Sequence, residues 1–168
     1  MRNPHLFFIL TIAIILRSYY LIFNAGDLSF PNLGGDPCHH YNIAYNISKG
    51  LGPTTSFIFS YWFEHNDIPA LTDVYPPGFH YFVSFFLLIN DSYNSGRFAN
   101  FLISIITILL IYLIGKKIHS QKLGLIAAFI ISLNYFHIEN STVFMTVNFY
   151  TFLVTFFLYV LFTFSDEN

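Results

Sequence analysis

The sequence predicts an all-α, polytopic membrane protein of about five transmembrane helices, whose long first loop contains short interfacial helices. Three observations carry that expectation. Only 10% of the 168 residues are Asp, Glu, Lys or Arg, against about 25% in a soluble domain. Hydrophobic residues reach 55% and aromatic residues 21%, through 22 Phe and 12 Tyr. The apolar residues fall in runs, with most of the acidic side chains gathered between the first two runs. Seven basic and nine acidic residues are too few to coat a globule in water. A net charge of −2 without a basic stripe speaks against a nucleic-acid partner. Cys38 stands alone, so neither an intrachain disulfide nor a CxxC motif is present.

The first run spans Leu6 to Phe23. It carries Arg17 in its interior and lacks a small-x-small cleavage site, so it is expected to remain as an anchor. The second begins at Pro76-Pro77 and ends at Ile89, short for a bilayer core of ~30 Å. The third runs from Phe98 to Ile114, the fourth from Leu123 to Ile138, and the Phe-rich fifth from Val143 to Phe164. Helices are expected throughout, because lipid offers no partner for an unpaired backbone. Residues 1–168 read as a single truncated transmembrane domain, with residues 24–75 as a catalytic first external loop.

That loop holds five acidic residues and one lysine. Asp36 followed by Pro37 predicts a helix N-cap with proline at the first helical position. Tyr41, Ala44, Tyr45 and Ser48 recur on one face, and Gly50 closes the helix. An amphipathic helix over Pro37–Lys49 is therefore expected in the interface plane. Aromatic residues from Phe57 to Phe63 predict a second interfacial element. Five alternating crossings create a conflict over charge. With the first helix starting in the cytoplasm, Lys49, Lys116, Lys117 and Lys122 fall outside, and only Arg2 and Arg97 inside. The positive-inside rule then asks for the reverse orientation, unless one short apolar segment does not cross.

Candidate chemistry concentrates in Gly34-Gly35-Asp36-Pro37-Cys38-His39-His40-Tyr41. Asp36 reads either as a carboxylate held at the membrane surface or as a plain helix cap. His39 and His40 point to different helix faces, so at most one faces Asp36 well, and a structural zinc site lacks ligand spacing. Asp73 sits just before the proline pair and is a candidate to join Asp36 around an acceptor hydroxyl or a divalent cation. Arg17 costs about 2.5–3.5 kcal/mol near mid-membrane. That makes it either a snorkelling arginine or a partner for a lipid phosphate. Arg97 opens the third run and Asn148 lies in the fifth. A small transporter is disfavoured because the charges gather in one loop.

In the order of these motifs the chain resembles the GT-C superfamily of polyprenyl-phosphate-dependent membrane glycosyltransferases. The resemblance runs through Arg17, then Gly35-Asp36-Pro37-Cys38-His39-His40-Tyr41 with Ala44 and Gly50. It continues through Tyr75-Pro76-Pro77-Gly78-Phe79-His80-Tyr81 and Ser95-Gly96-Arg97-Phe98-Ala99-Asn100. Protein mannosyltransferases and the oligosaccharyltransferase catalytic subunit belong to this superfamily. The resemblance implies a cell-membrane, multi-pass glycosyltransferase that uses a polyprenyl-phosphate sugar donor with inversion. Its essential loop acid falls on Asp36, as base or metal ligand. By the same matching Arg17 and Arg97 stand where basic residues are common in relatives, and together with His39, His40, Tyr41 and Asp73 of the loop they are the candidate substrate- or donor-binding residues. Members carry more helices than the five expected here, and Thr146, Val147 and Asn148 stand where relatives often have an acid. The alternative expectation is a non-catalytic membrane subunit or an inactive remnant, with a membrane-protein partner supplying the missing helices.

Overall fold

The computed structural model describes residues 3–23, 35–56, 69–71 and 75–164. Seven helices appear among them: α1 (Pro4–Phe23), α2 (Asp36–Ser48), α3 (Gly78–Ile89), α4 (Tyr93–Ile118), α5 (Gln121–Leu133), α6 (Tyr135–Asn140) and α7 (Val147–Phe164). Two short strands, β1 (Thr54–Thr55) and β2 (Ala70–Leu71), pair antiparallel with Thr54 opposite Leu71. The helices α1, α4 and α7 are long and apolar enough to cross a bilayer, and α3 and α5 are shorter apolar helices. The chain forms two compact units, Met1–Gly26 with Asn100–Asn168, and Asp27–Ala99.

In the first unit, Ile9 and Ala13 of α1 bury against Ile108 and Tyr112 of α4 and Ala128 of α5. Phe7, Phe8, Ile15 and Ile22 on α1, and Val154 and Phe157 on α7, stay exposed. Such outward apolar faces suit a hydrocarbon solvent. Asn3 Nδ2 donates to the Tyr112 hydroxyl at 3.3 Å, and Arg17 Nε donates to Ser104 Oγ at 3.1 Å. The order of residues is reversed between the two helices, so α1 and α4 run antiparallel.

The α4–α5 turn is closed by glycines. A Cβ on Gly115 would stand 2.8 Å from the Gly124 Cα, and one on Gly124 would collide with the Tyr112 carbonyl oxygen. Ser120 caps α5 by accepting from the Leu123 N–H at 3.3 Å. Helix α5 ends at Asn134, whose side chain accepts from the His137 N–H at 2.9 Å and starts α6. The irregular stretch before α7 is held by Asn100 Nδ2, which donates to the carbonyls of Val143 and Met145. At the other end of α7, Lys117 Nζ donates to the Thr163 carbonyl at 3.2 Å.

Of the five crossings expected, three have helices of membrane length, α1, α4 and α7, and two have the shorter apolar helices α3 and α5. The chain between α1 and α4 begins and ends on one side. Helix α3 has 12 residues, and at 1.5 Å rise it spans about 18 Å, short of the ~30 Å core. Lys116, Lys117 and Lys122 lie at the end of the bundle where α1 begins. The fourth expected run is broken at Asn134 into α5 and α6.

The second unit packs α2 against α3, burying Ile43 and Ala44 with Phe79, Val83 and Leu87. Helix α2 ends as expected. Gly50 adopts φ 80°, and the Leu51 N–H reaches the Asn46 carbonyl at 2.9 Å. Buried Asn46 ties α2 to β1 by donating to the Thr54 carbonyl at 3.0 Å. The element expected over Phe57 to Phe63 lies outside the described residues.

Candidate active site around Asp36

Asp36 is not the cap of α2. Gly35 takes that position with φ 71° and ψ −156°, a region open essentially only to glycine, and no side chain caps the helix. Asp36 becomes the first helical residue and Pro37 follows it in the first turn. Its exposed carboxylate is thereby released from backbone duty. A carboxylate in the first turn is also favoured by the helix dipole.

The carboxylate is held instead by a residue 39 positions away. Tyr75 donates its hydroxyl to Asp36 Oδ1 at 2.7 Å. Pro76 and Pro77 restrict the chain just after Tyr75 and deliver it into α3. The Tyr75 ring lies edge-on to His40, with centroids 4.5 Å apart, and 6.4 Å from the His39 ring. His40 Nδ1 meets His80 Nε2 at 2.9 Å, joining α2 to α3, and both rings are buried. Phe79 closes the cluster at 5.6 Å from His40.

Electrostatics follow from this packing. Burial pushes the His40 imidazole down to about 4, against the opposing pull of Asp36 and with a contribution from His39. His39 is lowered by burial in the same contest. Both are therefore neutral near pH 7. Burial raises the Tyr75 phenol, and its hydrogen bond to Asp36 and the carboxylate charge raise it further. Tyr75 therefore stays a donor.

The other expected residues stand elsewhere. Tyr41 packs against Tyr45 and Tyr93 at 6.0 and 5.4 Å. Arg97 is buried in α4, and its guanidinium donates to Asn94 Oδ1 at 3.0 Å. Arg17 belongs to the first unit and is wholly buried. It donates to Ser104, to the Ala13 and Ser132 carbonyls, and to His137 Nδ1 at 2.6 Å. Asp73 lies outside the described residues. Among the described residues no group of three or more His, Cys, Asp or Glu side chains comes together as metal ligands. Sequence reasoning missed Tyr75 and His80 as parts of the Asp36 surroundings, although both lie in the proline-marked segment it singled out.

Helices of membrane length define the chain as a multi-pass membrane protein. A family model described as dolichyl-phosphate-mannose-protein mannosyltransferase matches residues 74–168, from just before Tyr75 through α7. The chain belongs to that family, and Asp36 lies upstream of the matched residues. No curated protein and no solved structure matches it.

Proposed function

We propose that the chain transfers a glycosyl group from a polyprenyl-phosphate carrier to an acceptor hydroxyl at the surface of a cell membrane, with Asp36 as the base. The family supports the reaction class, with a mannosyl donor on a dolichyl-type carrier as the first choice. The observation that carries the assignment of Asp36 is its release from capping and its fixation by Tyr75.

The acceptor oxygen attacks the anomeric carbon and forms the new glycosidic bond. The bond from that carbon to the carrier phosphate breaks, and the phosphate leaves with the electron pair. The acceptor proton passes to Asp36. Tyr75 engages Oδ1, and among the described residues Oδ2 is left for the acceptor. A single displacement inverts the anomeric centre. Positioning and proton transfer supply the rate, since the phosphate is already a good leaving group.

A divalent cation beside Asp36 would draw further ligands from loop acids such as Asp73, which lies outside the described residues. His39 and His40, next to Tyr75, flank the acceptor side in this reading, and Tyr41 packs away from it against Tyr93. Arg17 and Arg97, both buried, act as positioning residues for their helices. A membrane-protein partner supplies further donor and acceptor contacts.

The exposure of Asp36 favours a second reading, a non-catalytic membrane subunit or inactive remnant. One experiment separates them. Purified full chain is given dolichyl-phosphate mannose and a Ser/Thr-containing peptide, and mannosyl transfer is measured for wild type and Asp36→Asn. Transfer by wild type and none by the variant, at equal thermal stability, is the expected result. Full transfer by Asp36→Asn overturns the role of Asp36, and no transfer by wild type supports the second reading.

A further inference from the structure

Helices α3 and α4 are joined by the turn Asn90-Asp91-Ser92. Beside it lies a cavity of about 350 Å³, lined by Phe86, Asn90, Ser92, Asn94 and Phe98 among others. We propose that this cavity binds the ring of a neutral saccharide, a hexopyranose.

The turn does not use up the polar groups at the cavity. Ser95 Oγ donates to the Asn90 carbonyl at 2.7 Å and meets Ser92 Oγ at 3.0 Å, so closing the turn accounts for both serines. Asn94 Oδ1 accepts from Arg97 at 3.0 Å, which occupies the oxygen and leaves the amide hydrogens. The Asn90 side chain is exposed and hydrogen-bonds to none of the described residues. Asparagine past a helix end is ordinarily explained by a left-handed backbone. Asn90 is instead extended, with φ −146° and ψ 113°, and closes α3 with its backbone N–H on the Phe86 carbonyl. Its amide is left without a structural task.

The lining chooses the ligand. Among the described residues no charged side chain borders the cavity. Asp91, which lies between two lining residues, pairs with Lys49 Nζ at 2.7 Å. A phosphate or an ammonium would meet no spare counter-charge there. Both partners of that ion pair are nearly half exposed, which sets the turn in water or among headgroups rather than in hydrocarbon. An alkyl chain would cover the amides of Asn90 and Asn94 and offer them no partner. A pyranose serves both halves of the lining. Its hydroxyl groups give and accept hydrogen bonds at the amides, and its C–H face lies on the Phe86 or Phe98 ring. Small-molecule pockets combine an apolar, aromatic wall with a few placed polar groups in this way.

Helix α2 carries Asp36 at its start and Lys49 just past its end, about 20 Å apart at 1.5 Å per residue. The saccharide site is therefore separate from Asp36, and the inference stands apart from the glycosyl-transfer proposal.

The test uses purified full chain in a sulfobetaine detergent, which has no sugar headgroup. Methyl α-mannoside, methyl α-glucoside and methyl α-galactoside are added in turn, and saturation transfer from protein to glycoside is followed by NMR. Transfer to at least one glycoside at millimolar concentration is expected. Asn90→Ala should weaken that binding about tenfold, as loss of a good neutral hydrogen bond does, at an unchanged unfolding temperature. Asp36→Asn should bind as wild type does. Displacement by the matching octyl glycoside about tenfold better than by the methyl glycoside assigns the sugar to a glycolipid headgroup, and equal displacement assigns it to a sugar without a lipid tail. Detergent chains are present throughout, so a cavity built for hydrocarbon would fill with detergent and show no transfer to any glycoside. That result overturns the proposal, as does undiminished binding by Asn90→Ala. Loss of binding in Asp36→Asn overturns it too, by moving the sugar to the loop acid.

Discussion

The Tyr75 hydroxyl donates to Asp36 Oδ1 at 2.7 Å, tying the residue that precedes the double proline to the first turn of α2. This bond joins the family-matched part of the chain to an acid outside it. With Asp36 as the proposed base, Tyr75 is a positioning residue that orients the carboxylate. Tyr75→Phe keeps the ring against His40 and removes only the donor. A hydrogen bond to a charged group contributes about 1.5–3 kcal/mol, so kcat should fall by roughly 10- to 100-fold. Steady-state kinetics with dolichyl-phosphate mannose check this, with KM expected to hold. Unchanged kcat would remove Tyr75 from the mechanism.

His40 makes the loop unit sensitive to acid. Its folded pKa of about 4 lies below the ordinary 6.5, so between these values the unfolded chain binds more protons. The stability it contributes is present above pH 6.5 and is lost as pH falls toward 4. Thermal unfolding followed from pH 7 to pH 4 should show this loss. His40→Gln, which does not titrate, should flatten the profile.

Arg17 ties α1 to α4, α5 and α6 through Ser104, Ser132 and His137. Arg17→Met removes every one of these bonds and strands buried partners. Detergent-solubilised protein should lose roughly 3 kcal/mol of stability, seen as a lowered unfolding temperature. A direct role in donor binding instead predicts weaker donor affinity at unchanged stability.

Gly124 allows α5 to touch the backbone of α4. Gly124→Ala places a Cβ against the Tyr112 carbonyl oxygen and 2.9 Å from the Lys116 nitrogen. Backbone cannot yield as a side chain does, so a loss of about 1–3 kcal/mol is expected. Chemical denaturation in mild detergent measures it.

Composition and hydrophobic runs made the helical membrane class legible, and the Asp-Pro and Gly signals placed α2 to within a residue. The crossing pattern was not legible in the same way. Helix α3 has the apolar character of a spanning helix but only 12 residues, a length that the hydrophobic run alone did not show. Asp36 looked like a cap because the sequence does not reveal that Gly35 would adopt a backbone unsuited to other residues. Arg17 invited a reading as a snorkelling or phosphate-binding side chain. Its partners Ser104, Ser132 and His137 are spread over more than thirty residues and converge only in the folded bundle.

The opposed directions of α1 and α4 have a practical corollary. A reporter fused ahead of Pro4 and another inserted after His119 would share one aqueous compartment. A split fluorescent tag divided between those two points should reassemble on one molecule.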